Sequence, residues 1–149
     1  MNFQYLNQCE ELTNHYLGFN GWKSEILYHQ KETETDSKIT FGTAVRLTFQ
    51  EGDQIQNVEG VGIGLIEYSN LQEKLQKSGN GQKAARTAAM INAFEKVILV
   101  VLHTSEGRSK ITVRIDKSRK DPFYYKSIWD KPVTIENVND LDEEPPFED

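Results

Sequence analysis

The side chains best suited to binding chemistry are the cations in the centre of the chain. Residues 74–120 carry eleven basic and three acidic side chains (11 − 3 = +8), although the whole chain has a net charge of −6. The flanking segments 1–73 and 121–149 each sum to −7 (4 − 11 and 2 − 9). Because salt screens each field beyond about 10 Å, the basic segment can bind phosphate groups on an acidic protein. The alternative is a solvated basic helix face and hairpin.

Basic and aromatic residues are interleaved between positions 117 and 131. The residues concerned are Lys117, Arg119, Lys120, Phe123, Tyr124, Tyr125, Lys126, Trp129 and Lys131. Such a segment can bind single-stranded nucleic acid, since the cations meet phosphates while the rings stack on bases. We favour the simpler interpretation, in which the segment docks its rings on the domain.

Other residue patterns give little indication of catalysis. The three histidines are scattered, and Cys9 has no partner cysteine, so no zinc signature is present. P-loop and GxSxG motifs are missing. We predict no enzyme activity, no cofactor and no metal. A nuclease built from Asp53, Glu59 and Glu67 on paired strands is the alternative.

The composition is that of one soluble globular domain. The chain has 149 residues, 37% of them hydrophobic and 10% aromatic, and its longest apolar run is the six residues from Val97 to Leu102. The first residues do not have the pattern of a signal peptide, and the single cysteine suits a reducing compartment. We expect an intracellular protein, nuclear if eukaryotic and cytoplasmic if bacterial or from a phage.

The hydrophobic pattern predicts an α+β fold that positions the basic segment. Apolar residues recur at helical spacing over 3–17, and strands are predicted over 22–30, 39–49 and 55–66. A polar loop is expected over 31–38 and a hairpin turn over 51–53. The result is an N-terminal helix followed by an antiparallel meander.

The segment from Leu17 to Trp22 (LGFNGW) marks the corner between the first helix and the first strand. Gly18 should end the helix, and Asn20 and Gly21 can adopt the positive φ angles of a sharp reversal. Phe19 and Trp22 flank the turn. We expect both rings to pin the corner.

The third strand places three glycines on one face, in the sequence Gly60-Val61-Gly62-Ile63-Gly64. A bare strand face permits close approach by a helix. The alternative, a dinucleotide-binding loop, requires GxGxxG spacing followed directly by a helix. The alanine-rich segment from Gln82 onward is strongly helical and should lie against these glycines.

The elements around this alanine-rich helix are less sharply predicted. Residues 68–82 read as a polar connection with a short helical turn near 71–75, and the helix should reach Val97. Residues 98–102 either extend it or form a strand. A turn at Glu106-Gly107 and a strand through Ile111, Val113 and Ile115 follow. We assign residues 1–131 to the domain and 132–149 to an acidic, disordered tail that either solubilises the protein or recruits partners.

Four segments together resemble the Rad-fifty-two family of single-strand annealing and recombination-mediator proteins. They are LGFNGW at 17–22, FGTAVRLTFQEG at 41–52, EGVGIGLI at 59–66 and KAARTAAMINAFEKVIL at 83–99. The resemblance implies a β-β-β-α core, assembly into rings, and single-stranded DNA held in an outer basic groove without ATP. The stretch FEKVIL at 94–99 is closer to the short Rad-fifty-nine-like members, and a phage-type annealing protein also fits.

The resemblance also implies which cations contact DNA. They are Arg46 on the middle strand, Lys74 and Lys77 in the connection, and Lys83, Arg86 and Lys96 on the helix. Arg108 and Lys110, from the same basic segment, complete the predicted DNA-binding set. Family members carry a Lys-Arg pair where Ile91 and Asn92 stand here, which should weaken the phosphate groove.

The predicted function is therefore non-enzymatic binding of single-stranded DNA in homologous recombination and DNA repair. The protein would promote annealing of complementary strands as a homo-oligomer. Possible partners are a larger annealing protein, a recombinase or a single-strand binding protein, and no membrane is expected. The alternative is an adaptor subunit that keeps the fold and has lost most DNA binding.

Overall fold

A computed structural model describes residues 3–104, 107 and 109–129. The elements are α1 (Phe3–Leu17), β1 (Trp22–Glu34), β2 (Lys38–Glu51), β3 (Gln54–Glu67), α2 (Leu71–Phe94), β4 (Val97–His103), β5 (Ser109–Ile115) and β6 (Tyr124–Trp129). This confirms the predicted α+β class, the N-terminal helix and the β-β-β-α core. The predicted acidic tail, 132–149, lies outside the described residues.

Two three-stranded sheets enclose the main core. The first is antiparallel in the order β1-β2-β3; in the second, β4 lies between an antiparallel β5 and a parallel β6. β2 turns alternate side chains inward, and these are Ile39, Phe41, Thr43, Val45, Leu47 and Phe49. The helices cover this inner face, whereas no element of the described residues covers the opposite face of the first sheet.

The glycine face of β3 lies directly against α2, as predicted. A Cβ on Gly62 would fall far inside contact distance of the Ala89 backbone nitrogen, and one on Gly60 would lie 2.5 Å from the Ala93 nitrogen. Ala85, Ala89 and Ala93 are fully buried on the facing side of the helix. Any larger residue on either surface would force the helix away from the sheet.

The prediction of a polar connection over 68–82 is wrong, because α2 begins at Leu71 and continues through this segment. Two capping hydrogen bonds start the helix: the N-cap Asn70 Oδ1 accepts from the Glu73 amide at 2.9 Å, and Glu73 Oε2 accepts from the Ser69 amide at 2.8 Å. Gly81 is retained inside the helix because its bare surface packs on Phe41 and Ile66. Tertiary contact therefore overrides the low helix propensity of glycine.

The predicted loop over 31–38 is also wrong, since β1 continues to Glu34 and β2 begins at Lys38. Polar side chains extend the hairpin across its exposed end. Thr33 and Thr40 form a hydroxyl pair at 2.5 Å, and Lys31 Nζ lies 2.6 Å from Glu34 Oε1. A strand with solvated faces needs no apolar alternation.

The Leu17–Trp22 corner is formed differently from the prediction. Only Gly18 has a positive φ, of 74°, and Asn20 and Gly21 do not. Gly21 is required for space, since a Cβ there would collide with the Leu17 carbonyl oxygen. Phe19 is 84% exposed and pins nothing. The corner is held by Trp22, whose Nε1 donates to Asn14 Oδ1 at 2.7 Å and whose ring lies 5.8 Å from that of Phe94.

The C-terminal aromatic segment docks on the domain, as the simpler interpretation of its sequence predicts. The Phe123 ring lies 5.3 Å from that of Phe94, and the Tyr125 ring stacks at 5.3 Å on Tyr16. Its backbone forms strand β6, which the sequence pattern did not predict. Helix α2 ends at Phe94, three residues before the predicted end at Val97. Residues 98–102 form a strand, which is one of the two predicted alternatives.

Gly62→Ala should test the close packing of β3 on α2. The new methyl group collides with helix backbone, so we expect a loss of about 2–3 kcal/mol in the free energy of unfolding, the upper range for overpacking. Urea denaturation followed by circular dichroism measures this.

Gly79→Ala is the matched control, because a Cβ there meets no atom within 4 Å. Removing a glycine from a helix interior should raise stability by about 0.5–1 kcal/mol. Equal effects of the two substitutions would contradict the packing account.

Candidate nucleic-acid interface

Arg46 and Lys96 meet at Glu59, beside the open face of the first sheet. Arg46 Nη2 lies 3.0 Å from Glu59 Oε2, and Lys96 Nζ donates to the Glu59 backbone carbonyl at 2.7 Å. The sequence placed these two cations 50 residues apart. The hairpin register, which pairs Arg46 with Glu59 across β2 and β3, brings them together.

Lys74 and Lys77 lie in the first two turns of α2, where both have acidic or carbonyl partners. Lys74 Nζ is 3.2 Å from Glu34 Oε2, and Lys31 Nζ approaches the other oxygen of the same carboxylate. Hydrogen bonds from Lys31 and then Lys74 lower the pKa of Glu34. Lys77 Nζ donates to the Glu67 carbonyl at 2.9 Å.

Lys83 and Arg86 lie further along α2, and Lys83 turns toward α1. Lys83 Nζ is 4.6 Å from the centroid of the Phe3 ring, a cation–π distance. Arg86 is half-buried, and within the described part of the chain it has no ion pair or hydrogen bond. These two cations are therefore available to an added anion without displacing a carboxylate.

Lys110 lies exposed on β5 in the second sheet, and Arg108 lies outside the described residues. The described members of the predicted set lie at separate positions. Arg46 and Lys96 lie at Glu59, Lys74 and Lys77 at the start of α2, Lys83 and Arg86 further along α2, and Lys110 on the other sheet. A single phosphate track would have to pass from one of these positions to the next.

An open cleft of about 390 Å³ lies between the C-terminal half of β1 and the N-terminal half of α2. We call it the β1–α2 cleft. It is lined by His29, Gln30, Lys31, Glu34, Ile39, Phe41, Lys74, Ser78 and Gln82. Sequence reasoning identified only Lys74 here. The spacing of positions 74, 78 and 82 marks one helical face, but it carries this meaning only once the helix is known to start at Leu71.

Asn92, one of the two positions where the resemblance predicts a basic residue, has a structural role in this chain. Asn92 Oδ1 accepts from the Val61 amide at 2.9 Å on the free edge of β3. Ile91 packs against the main core. This part of α2 therefore caps and supports the sheet and offers no phosphate-binding charge.

Arg119, in the interleaved segment, also has a structural role. Its Nη1 donates to the carbonyls of Glu95 at 2.9 Å and Pro122 at 2.7 Å. Its guanidinium lies 5.8 Å from the centroid of the Tyr124 ring. The contacts fix the loop before β6 to the end of α2, and they leave this cation occupied.

The geometry gives no support to the nuclease alternative. Glu59 and Glu67 are eight residues apart on one strand, roughly 26 Å at 3.3 Å per residue, and Asp53 lies in the turn. Among the described residues, no three His, Cys, Asp or Glu side chains are grouped for a metal ion. Burial raises the pKa of Cys9 to about 11, so its thiol is a poor nucleophile.

None of the described helices is long and apolar enough to span a membrane.

The folded unit from α1 to the start of β4 coincides with a known family. A sequence model of the RDM1 DSRM domain matches residues 5–98. This chain belongs to the RDM1 DSRM domain family. The match covers the β-β-β-α core and both helices, and it stops before β5 and β6.

Similar proteins include vertebrate proteins named RAD52 motif-containing protein 1. The chain is 30% identical to the Gallus gallus protein over 128 residues and 33% identical to the Danio rerio protein over 126, covering 78% and 74% of this chain. It is 30% identical to the Homo sapiens protein over 115 residues, or 67% of this chain. The matches span 40–44% of the relatives' lengths. The predicted relation to the Rad-fifty-two family is confirmed at this level, and the finer Rad-fifty-nine-like or phage-type placement stays a prediction.

Glu34→Gln should release two cations of this RDM1 DSRM domain at the β1–α2 cleft. The substitution removes the carboxylate that holds Lys31 and Lys74, so both become available to phosphate. We expect the variant to elute from a heparin column at a higher salt concentration than the unsubstituted protein.

Glu11→Gln is the matched control, because it makes the same charge change at an exposed position on α1. A shift for Glu34→Gln alone locates the effect at the cleft. Equal shifts would show that only net charge matters.

Because the pKa of Glu34 is lowered, any stabilisation of the fold by its ion pairs is present above the ordinary glutamate pKa and is lost as the pH falls through the lowered value.

Proposed function

We propose that this chain is a non-enzymatic, single-stranded DNA-binding domain of homologous recombination and DNA repair. It promotes annealing of complementary strands within an oligomeric assembly and uses no cofactor. Membership of the RDM1 DSRM domain family and similarity to RAD52 motif-containing proteins support the proposal. The chain spans 40–44% of the relatives' lengths, so the proposal concerns the part of those proteins that it matches.

The observation that carries DNA binding is the surface position of the cations from the basic segment. Lys77 and Lys83 are exposed and Lys74 is partly exposed, as is Arg46 on the neighbouring strand β2. Arg46 and Lys74 pair with surface carboxylates and Lys77 donates to a backbone carbonyl, and surface ion pairs of this kind contribute little to stability. Phosphate groups can replace these partners and release counterions from the DNA.

The directions of the cations favour an oligomer. Within one chain, Lys83 turns toward α1 while Lys77 lies against the end of β3. In the proposed assembly, these separate positions on neighbouring copies form a track for the strand. Strands bound by their phosphates keep their bases accessible, and annealing requires that accessibility.

Finer assignments follow from the same proposal. The protein acts as a short accessory member, of the Rad-fifty-nine-like or phage-type kind, beside a larger annealing protein, a recombinase or a single-strand binding protein. The eukaryotic source of its relatives favours a nuclear location.

An adaptor function is the second candidate, and a specific surface favours it. Val61, Ile63 and Leu65 are 67%, 67% and 52% exposed on the open face of β3. A row of apolar side chains on an edge strand is suited to contact with another protein. Under this alternative, DNA binding is weak and the sheet edge carries the function.

Charge reversal at Lys83 and Arg86 separates the two candidates. We expect the double variant Lys83→Glu, Arg86→Glu to bind a labelled 30-nucleotide oligo(dT) at least about tenfold more weakly at 50 mM salt. Loss of two phosphate contacts should reduce the slope of log affinity against log salt by about 1.4. Fluorescence anisotropy over a salt series measures both quantities.

Lys23→Glu, Lys38→Glu is the control, since both lysines lie on exposed positions of the first sheet. Lys96 is left unchanged because it holds the Glu59 carbonyl. Equal losses for the two double variants would refute a local site at α2, and no binding by the unsubstituted protein at 50 mM salt would favour the adaptor. Light scattering tests assembly: a monomer would contradict the oligomeric part of the proposal.

A further inference from the structure

The β1–α2 cleft has a polar lining where a sheet normally presents apolar side chains to a helix. His29 and Lys31 lie on the inner face of β1, opposite Thr43 and Phe41 in the register. The facing side of α2 presents Ser78 and Gln82. Both walls carry polar side chains, so the space between them can hold water or a polar ligand.

The cleft stays open because α2 packs mainly on β3 and β2. The glycine face of β3 draws the helix to that side of the sheet. β1 also has register irregularities between Ile26 and Tyr28 and between Lys31 and Thr33, and bulges of this kind bend a strand. Among the described residues, no helix therefore covers the second half of β1.

The mouth of the cleft is chemically suited to a phosphate group. Lys31 Nζ and Lys74 Nζ lie 2.6 and 3.2 Å from the two oxygens of Glu34. This carboxylate occupies the place of an anion between two cations. All three side chains are at least partly exposed, so a phosphate can displace the carboxylate at low cost.

The interior of the cleft is suited to a flat ring with hydrogen-bonding edges. Ile39 and Phe41 form an apolar floor, and Gln82 supplies an amide that both donates and accepts. His29 holds Thr43 Oγ1 through Nδ1 at 2.6 Å, while its buried Nε2 has no hydrogen-bond partner among the described residues. Buried polar atoms without partners are rare, and this one lies at the cleft.

We propose that the β1–α2 cleft anchors one nucleotide of the bound single strand, with its phosphate between Lys31 and Lys74 and its base over Ile39 and Phe41 against Gln82. The volume of about 390 Å³ lies in the range of small-molecule sites. The inference rests on the proposed DNA binding. It adds that one base per protomer is held while its neighbours stay free to pair.

Two single-stranded oligonucleotides with the same phosphates distinguish contacts with the base from contacts with the phosphate. One probe is a labelled 30-nucleotide oligo(dT), and the other is a 30-residue oligonucleotide of abasic sites with the same phosphates. We expect Gln82→Leu to weaken oligo(dT) binding about fivefold, the loss of roughly one hydrogen bond, and to leave abasic binding unchanged. Gln76→Leu, on the exposed side of α2, should change neither.

Lys74→Gln tests the proposed phosphate contact and should weaken the binding of both probes equally. Circular dichroism first establishes that each variant is folded. Binding of both probes by the unsubstituted protein with equal affinity, or an equal effect of Gln82→Leu on both, would overturn the base pocket while leaving DNA binding intact. Binding of neither probe would overturn the proposed function as well.

Titration with dTMP distinguishes a nucleotide of the strand from a free one. We expect chemical-shift changes at the Ser78 and Gln82 amides only at millimolar dTMP, because a single nucleotide lacks the remaining phosphate contacts. Binding of dTMP as tight as that of the oligonucleotide would assign the cleft to a free nucleotide and overturn the anchoring of a strand.

Discussion

The contact between the bare face of β3 and the small-residue face of α2 determines most of this structure. Gly60, Gly62 and Gly64 leave no room for side chains between strand and helix. Helix and sheet backbones therefore approach closely, and dispersion contacts accumulate along the interface. A helix held this tightly over β3 cannot also cover β1. The close contact of α2 with β3 and the open β1–α2 cleft therefore have the same cause, which is the packing of α2 on the glycines of β3.

This arrangement also decides what the polar residues do. Along β3, where α2 packs closely, Asn92 and Lys96 form hydrogen bonds with backbone groups of the strand. These two side chains therefore stabilise the fold. At the β1–α2 cleft, Lys31 and Lys74 both pair with the Glu34 carboxylate, which an anion can replace. In the proposed function, the difference between structural and binding cations therefore follows from where α2 lies on the sheet.

Prediction from sequence was successful where short-range physics is decisive. The helix over 3–17, the hairpin turn at 51–53 and the glycine-to-helix contact all follow from periodicity and side-chain size. It was wrong where long-range contact reverses a local preference. Gly81 disfavours a helix by propensity, yet its contact with Phe41 and Ile66 retains it in one. Strand β6 was not predicted, because its aromatic side chains gain burial only against elements distant in sequence, such as Tyr16 and Phe94.

The sequence by itself determined the fold class, the basic character of the central segment and the family resemblance, since these depend on residue types and short-range spacing. The tertiary structure alone decided which cations lie together. Arg46 and Lys96 meet because the β2–β3 register places Glu59 between them. The cleft walls come from a strand and a helix about 40 residues apart, and only close packing of α2 on β3 fixes the space between them.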